Sequence, residues 1–227
     1  MDIQSFYESG TGTWSHLLAD PGQRAAAIID PVWVFDPVSG QTSDAALQPL
    51  LQAAEQSGYQ VQWVLETHAH ADHLTGAARI REDTGARIAC GRGICRVQEN
   101  FVRVFNMRGA ATDGSQFDRL LLEGDRLRLG GLEIEVMETP GHTSDGLTYR
   151  VGDAAFVGDT LFAPAYGTAR CDFPGGDAGQ LYDSIRRICS LPPETRLFLC
   201  HDYPDYGQEP VAMITVAPTK ADNIHVH

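Results

Sequence analysis

Three imidazoles and a carboxylate fall within six positions in His68-Ala69-His70-Ala71-Asp72-His73, directly behind the apolar run Val61 to Leu65. That density points to a metal ion. Imidazole nitrogen suits zinc and iron, and carboxylate oxygen suits the harder end of the same range, so the mixture favours a first-row ion over calcium or magnesium. Three further ligand-type residues, His142, Asp159 and His201, stand in the same kind of context. Solvated loop histidines would not account for all of them together.

Such residues act together only if rigid elements carry them to one place. Short apolar runs alternate with helical patterns between Gly, Pro and Asp punctuation, which reads as an α/β protein. Strands are predicted at Thr13 to Leu18, Ala25 to Ile29, Val61 to Leu65, Arg87 to Cys90, Leu132 to Val136, Ala154 to Val157 and Arg196 to Cys200, the second ending at Asp30-Pro31. Helices are predicted where Asp44 would cap a face of Leu47, Leu50, Leu51 and Ala54 ending at Gly58, and from Leu74 to Asp83 ending near Gly85. A further helical face of Leu181, Ile185 and Ile188 stops before Pro192-Pro193. On this map His68, His142, Asp159 and His201 each follow a strand. Strand ends of an α/β sheet share one rim, where loops on a rigid scaffold carry chemistry.

The 227 residues fit a single domain, 1–227, with a short C-terminal tail. Hydrophobic residues at 43% and charged residues at 21% are ordinary for a globular chain, and no apolar run is long enough to span a bilayer. Met1-Asp2-Ile3-Gln4 resembles no export or import signal, so a soluble, cytoplasmic protein is expected. Five cysteines without a CxxC pair fit free thiols, Cys189 and Cys200 buried and Cys90 and Cys95 unpaired. A net charge of −13 argues against nucleic acid as a partner, because that affinity comes from clustered Lys and Arg. An anionic small molecule would need local cations, for which Arg170 and the lone Lys220 are the candidates. A homodimer is left open.

The segments Thr67-His68-Ala69-His70-Ala71-Asp72-His73, Thr139-Pro140-Gly141-His142-Thr143, Gly158-Asp159 and Cys200-His201-Asp202-Tyr203 together resemble the metallo-β-lactamase fold. The resemblance spans nearly the whole chain and implies an αβ/βα sandwich with metal at one edge. Within that superfamily, Gly114-Ser115-Gln116-Phe117-Asp118, Ala169-Arg170-Cys171-Asp172-Phe173 and the Cys200 to Tyr203 segment are similar to persulfide (sulfur) dioxygenases. Thr168 and Cys171 depart from the best-known members, which carry Cys and Thr there. Glyoxalase II is the neighbouring group; it usually carries a C-terminal helical extension, and its absence after His201 is expected to favour the dioxygenase.

The dioxygenase resemblance implies one Fe(II) per chain on His68, His142 and Asp159, with glutathione persulfide and O2 as partners and sulfite and glutathione as products. His70, Asp72, His73 and His201 would then surround the ion without binding it. The same residues suit a dinuclear hydrolase of glutathione thioesters with two Zn or Fe ions: His68, His70 and His142 on one, Asp72, His73 and His201 on the other, Asp159 between them. Ligand identity alone does not choose, and a non-catalytic metal-holding module is the alternative of another class. Arg170 and Lys220 are candidates to grip glutathione carboxylates, against an ion pair of Arg170 with Asp172 or Asp177 and solvation of Lys220. Tyr203, with Arg170, is a candidate catalytic residue that would offer a hydroxyl to substrate or oxygen. Asp30 would hydrogen-bond the histidine loop. His16, His225 and His227 are expected in core or tail, and Gly10-Thr11-Gly12-Thr13 is no phosphate loop.

Overall fold

Ala25–Ile29 is apolar at every position because both of its faces are covered. Ala25, Ala27 and Ile29 point into a core between two sheets, whereas Ala26 and Ile28 point outward beneath helices. The computed structural model describes residues 1–226; His227 lies outside the described residues.

The strands are β1 (Asp2–Glu8), β2 (Thr13–Asp20), β3 (Ala25–Ile29), β4 (Val32–Phe35), β5 (Thr42–Ser43), β6 (Gln60–Leu65), β7 (Leu74–Thr75), β8 (Arg87–Gly91), β9 (Arg119–Leu121), β10 (Arg126–Leu129), β11 (Leu132–Glu138), β12 (Leu147–Val151), β13 (Ala154–Phe156), β14 (Arg196–Phe198) and β15 (Met213–Thr215). The helices are α1 (Leu47–Gln56), α2 (Ala77–Thr84), α3 (Ile94–Val104), α4 (Ala178–Cys189) and α5 (Val216–Asp222).

One six-stranded sheet runs β1-β2-β3-β6-β8-β9 and the other β10-β11-β12-β13-β14-β15. In the first, β3, β6, β8 and β9 are parallel neighbours; in the second only β13 and β14 are. The inner faces meet through residues such as Leu65, Leu121, Ile134, Tyr149 and Phe156. The outer face of the first sheet is covered by Leu47 and Leu50 of α1 and Ile80 of α2, that of the second by Leu181 and Ile188 of α4. This is the αβ/βα sandwich. The register of β3 against β6 slips between Ala26 and Ala27, so that Val61 faces outward while Trp63 and Leu65 face inward.

Several expectations shift in detail. Asp44 does not cap α1: Ala46 stands at the N-cap, while the Asp44 carbonyl accepts from Leu47 and Gln48 two residues earlier in the turn. Leu74-Thr75 is not helical but pairs with Val32-Trp33, and α2 begins at Ala77. The segment after His201 is no loose tail, because β15 pairs with β14 and α5 buries Val216 and Thr219. α3, absent from the sequence reading, packs Ile94 and Val97 beside Cys90. All five cysteines are free, with Cys90, Cys189 and Cys200 buried. No described helix is long and apolar enough to cross a membrane.

Candidate metal centre

β3 hands over to Asp30, whose φ of 49° lies in the left-handed region. Aspartate tolerates this conformation because its short polar side chain bonds locally. The turn carries its buried carboxylate beneath the loop that follows β6. Oδ1 of Asp30 accepts from the Thr67 N–H at 2.7 Å, and Oδ2 accepts from the Thr67 hydroxyl at 2.8 Å. With its proton committed to Asp30, the Thr67 hydroxyl accepts from Nδ1 of His68, 2.9 Å away. Nε2 of His68 is therefore the nitrogen with a lone pair, and it is buried without a hydrogen-bond partner.

His142 follows Gly141, whose φ of 139° and lack of a Cβ are both required: a Cβ would sit 2.3 Å from the Leu181 backbone of α4. Nδ1 of His142 lies 2.6 Å from the Arg170 carbonyl. A carbonyl only accepts, so this ring too carries its proton on Nδ1 and presents the Nε2 lone pair. Asp159 sits in the short 3-10 turn after β13, behind Gly158, where a Cβ would meet the Thr67 hydroxyl at 2.6 Å. That close approach brings Asp159 Oδ2 to 3.6 Å from Nε2 of His68 and 3.6 Å from Nε2 of His142.

The donor atoms of His68, His142 and Asp159 all lie within 4.8 Å of one another. Two donors about 2.1 Å from one ion, at angles between octahedral and tetrahedral, sit about 3.0–3.5 Å apart. The spacing, the fixed tautomers and the orphaned Nε2 of His68 fit a first-row cation.

The other expected residues surround this triad in different ways. Nε2 of His70 is 3.2 Å from Asp30 and 3.3 Å from Glu66, leaving only Nδ1 unpartnered. His73 stacks on His70 and spends Nδ1 on the Leu74 carbonyl. Nε2 of His201 lies 3.6 Å from Oδ1 of Asp159 and 3.5 Å from Asp72. Tyr203 stacks on His201 at 5.7 Å. A cavity of about 340 Å³ opens here, lined among others by His142, Asp159, His201, Tyr203, Arg170 and Phe173. The Arg170 side chain is paired with Asp172, as the ion-pair alternative had it. Lys220 lies exposed on α5 and is not among the residues lining the cavity. His16 is buried in β2 between Ser5 and the Leu199 carbonyl, and His225 bonds Thr168.

Burial holds His68 well below the ordinary imidazole range, helped by the neighbouring histidines. Burial also opposes charge on His70, yet Asp30 and Glu66 outweigh it and hold that ring well above its usual range. His73, buried beside a cationic His70, is pushed down to about 4. The Tyr203 hydroxyl is raised by burial and by Asp159 and Asp72, which keeps its proton on at neutral pH. The Nε2 atoms of His68 and His142 thus face Asp159, with the Asp30, Glu66 and His70 cluster one layer behind.

Sequence reasoning missed Glu66, Thr67 as the group orienting His68, and Phe162 and Phe173, which pack edge-on against His201 and His142. The signal for Glu66 was present: a carboxylate closing an apolar strand, four residues before His70.

Two facing sheets with helices outside, and imidazole and carboxylate donors gathered at one rim, describe a metal-binding αβ/βα sandwich. The chain belongs to the metallo-beta-lactamase superfamily, whose family model matches residues 19–201. It is 49% identical over 237 residues to a probable metallo-hydrolase of Burkholderia pseudomallei, covering 100% of this chain and 81% of that one. It is 42% identical to a beta-lactamase hydrolase-like protein of Xylella fastidiosa, across 99% of this chain but only 52% of the relative, so it spans about half that protein's length. Among solved structures it resembles ETHE1 from Myxococcus xanthus, with 31% identity and a TM-score of 0.78 over 100% of this chain and 84% of that one.

Proposed function

We propose that the protein is an Fe(II)-dependent persulfide dioxygenase, with glutathione persulfide as the substrate implied by its family resemblance. One observation carries this reading. His68, His142 and Asp159 converge as two imidazoles and one carboxylate, with Nδ1 of each ring held by Thr67 or by the Arg170 carbonyl so that both Nε2 atoms face Asp159. Two histidines and a carboxylate on one side of an ion are the ligand set of non-haem iron oxygenases. Ferrous iron held there supplies the electron chemistry that lets O2 react with sulfur.

The chain's own groups do the rest. Thr67 and the Arg170 carbonyl hold the two rings by their Nδ1 atoms, so that Nε2 of each faces the ion. Tyr203 retains its proton and stands over His201, where its hydroxyl donates to substrate or oxygen. Phe162 and Phe173 line the cavity and pack edge-on against His201 and His142. The overall change balances as persulfide plus O2 plus water giving thiol, sulfite and two protons: the outer sulfur is oxidised, O2 is reduced, and the sulfur–sulfur bond breaks.

A second reading is favoured by Asp159 itself, because Oδ2 faces His68 and His142 while Oδ1 faces His201. A bridging carboxylate of this kind suits a two-ion thioester hydrolase. Anaerobically purified protein, loaded with Fe(II) and given glutathione persulfide, is expected to consume O2 and release sulfite. Hydrolysis of a lactoyl thioester without O2 uptake would transfer the assignment to the hydrolase.

A further inference from the structure

A second cavity, of about 330 Å³, adjoins the metal cavity and shares Ala71 and Phe173 with it as walls. Its far side is α3, which contributes Val97 and Phe101, followed by Phe105 just past the helix end, and Pro174 is also among its walls. Among the described residues, the polar side chains lining it are His70 and Thr143. Phe101 and Phe105 stack one turn apart, at 5.7 Å between ring centres. The apolar surface continues outward, where Phe105 is 66% exposed and Val104 and Met107 are 59% and 50% exposed. Contiguous exposed apolar surface beside a reactive centre marks a place where a ligand is received.

Charge selects what that ligand is. Among the described residues lining the two cavities, Arg170 is the one arginine or lysine, and its guanidinium is already held by both Asp172 oxygens at 2.5 Å and 2.7 Å. Asp72 lines the metal cavity beside Asp159, which the ion would take as a ligand, and the chain as a whole carries −13. A tripeptide thiol such as glutathione brings two carboxylates, for which these walls provide no free arginine or lysine, while the His70 ring is already committed through Nε2 to Asp30 and Glu66, and buried unpaired charge is costly. An aryl or alkyl group loses nothing there and gains the apolar contact.

We infer that the substrate of this centre is a persulfide with an apolar carbon body, seated between Phe101, Phe105 and Phe173 while its sulfurs reach past Ala71 and Phe173 to His68, His142 and Asp159. The inference rests on the dioxygenase reading for the reacting group, and on the second cavity alone for the body. Glutathione persulfide is then a slower alternative that leaves this cavity unfilled.

The test uses 2-phenylethyl persulfide against glutathione persulfide with the iron-loaded protein, and 2-phenylethanethiol against glutathione with the metal-free protein. Ligand-observed NMR is expected to show the aromatic thiol binding the metal-free chain about tenfold more tightly than glutathione. Phe105→Glu, a change at an exposed position that leaves folding intact, should abolish that preference, and Phe101→Ala should weaken it. In turnover, kcat/KM should favour the aromatic persulfide by a similar factor, with the difference in KM. Equal or tighter binding of glutathione, or aromatic binding indifferent to both variants, would overturn the inference. O2 uptake with glutathione persulfide alone would overturn it as well. No uptake with either persulfide would sink the dioxygenase reading, and the binding comparison would still decide the apolar cavity.

Discussion

The carbonyl of Arg170, not its side chain, holds His142: Nδ1 of the ring donates to that oxygen at 2.6 Å, while the guanidinium turns away to Asp172. The residue therefore has separable roles. Arg170→Ala keeps the carbonyl and is expected to leave the metal content per chain unchanged, read by elemental analysis. A solvent-exposed ion pair of this kind contributes little to stability, so the melting temperature should barely move. Loss of metal in Arg170→Ala would mean that the side chain, through Asp172, sets the loop.

Thr67 is the opposite case, because its hydroxyl serves Asp30 and His68 at once. Thr67→Val preserves shape but strips an acceptor from a buried imidazole N–H and a donor from a buried carboxylate. Each buried group left unpartnered costs about 1–3 kcal/mol. Loss of a partner that orients a metal ligand typically lowers metal affinity about 10–100-fold. Both effects are expected together, in urea unfolding and in metal competition assays. Unchanged affinity would show that His68 is oriented without Thr67.

The number of ions turns on Asp159 and His201, whose facing atoms are 3.6 Å apart. With a mononuclear triad, Asp159→Ala removes the metal altogether, whereas His201→Ala keeps about one ion per chain and lowers turnover. If His201→Ala lost half of the bound metal, two ions would be present and the hydrolase reading would stand. Metal quantification on the two variants and the parent makes that distinction before any substrate is chosen.

Where sequence periodicity was decisive, both sides of an element were settled by local pattern. Ala25 to Ile29 is apolar throughout because it is buried on two faces, and the expected bounds agree with β3. His68, His142, Asp159 and His201 were legible as a group because each follows a strand, and strand ends share a rim. The remainder depends on contacts between distant segments. Thr75 leaves the helical pattern because its hydroxyl bonds Glu66 and Val32 pairs with it across the chain. Asp44 is a good capping residue by type, yet the turn places Ala46 at the helix start. Glu66 lies four residues before His70 in the same segment, but Asp30 reaches that ring from the end of β3, and no local spacing encodes the second contact.

His16, which no metal reading uses as a ligand, supplies a dependence of stability on pH. The ring is buried in β2, touches Phe156 and Phe198, and bonds Ser5 and the Leu199 carbonyl. Burial pushes it down from 6.5 to about 4, against the opposing pull of that carbonyl and of Asp30. The unfolded chain therefore binds a proton between these values that the folded chain refuses. Stability from this group is complete above the unfolded pKa, falls as the pH drops below it, and is fully lost below the folded value, a difference of about 3 kcal/mol. Between neutral pH and about pH 4.5 the parent should lose about 2 kcal/mol more than His16→Gln, whose amide cannot titrate. Urea unfolding at the two pH values measures it. Parallel losses in parent and variant would show that His16 is protonated, and paired, in the folded protein.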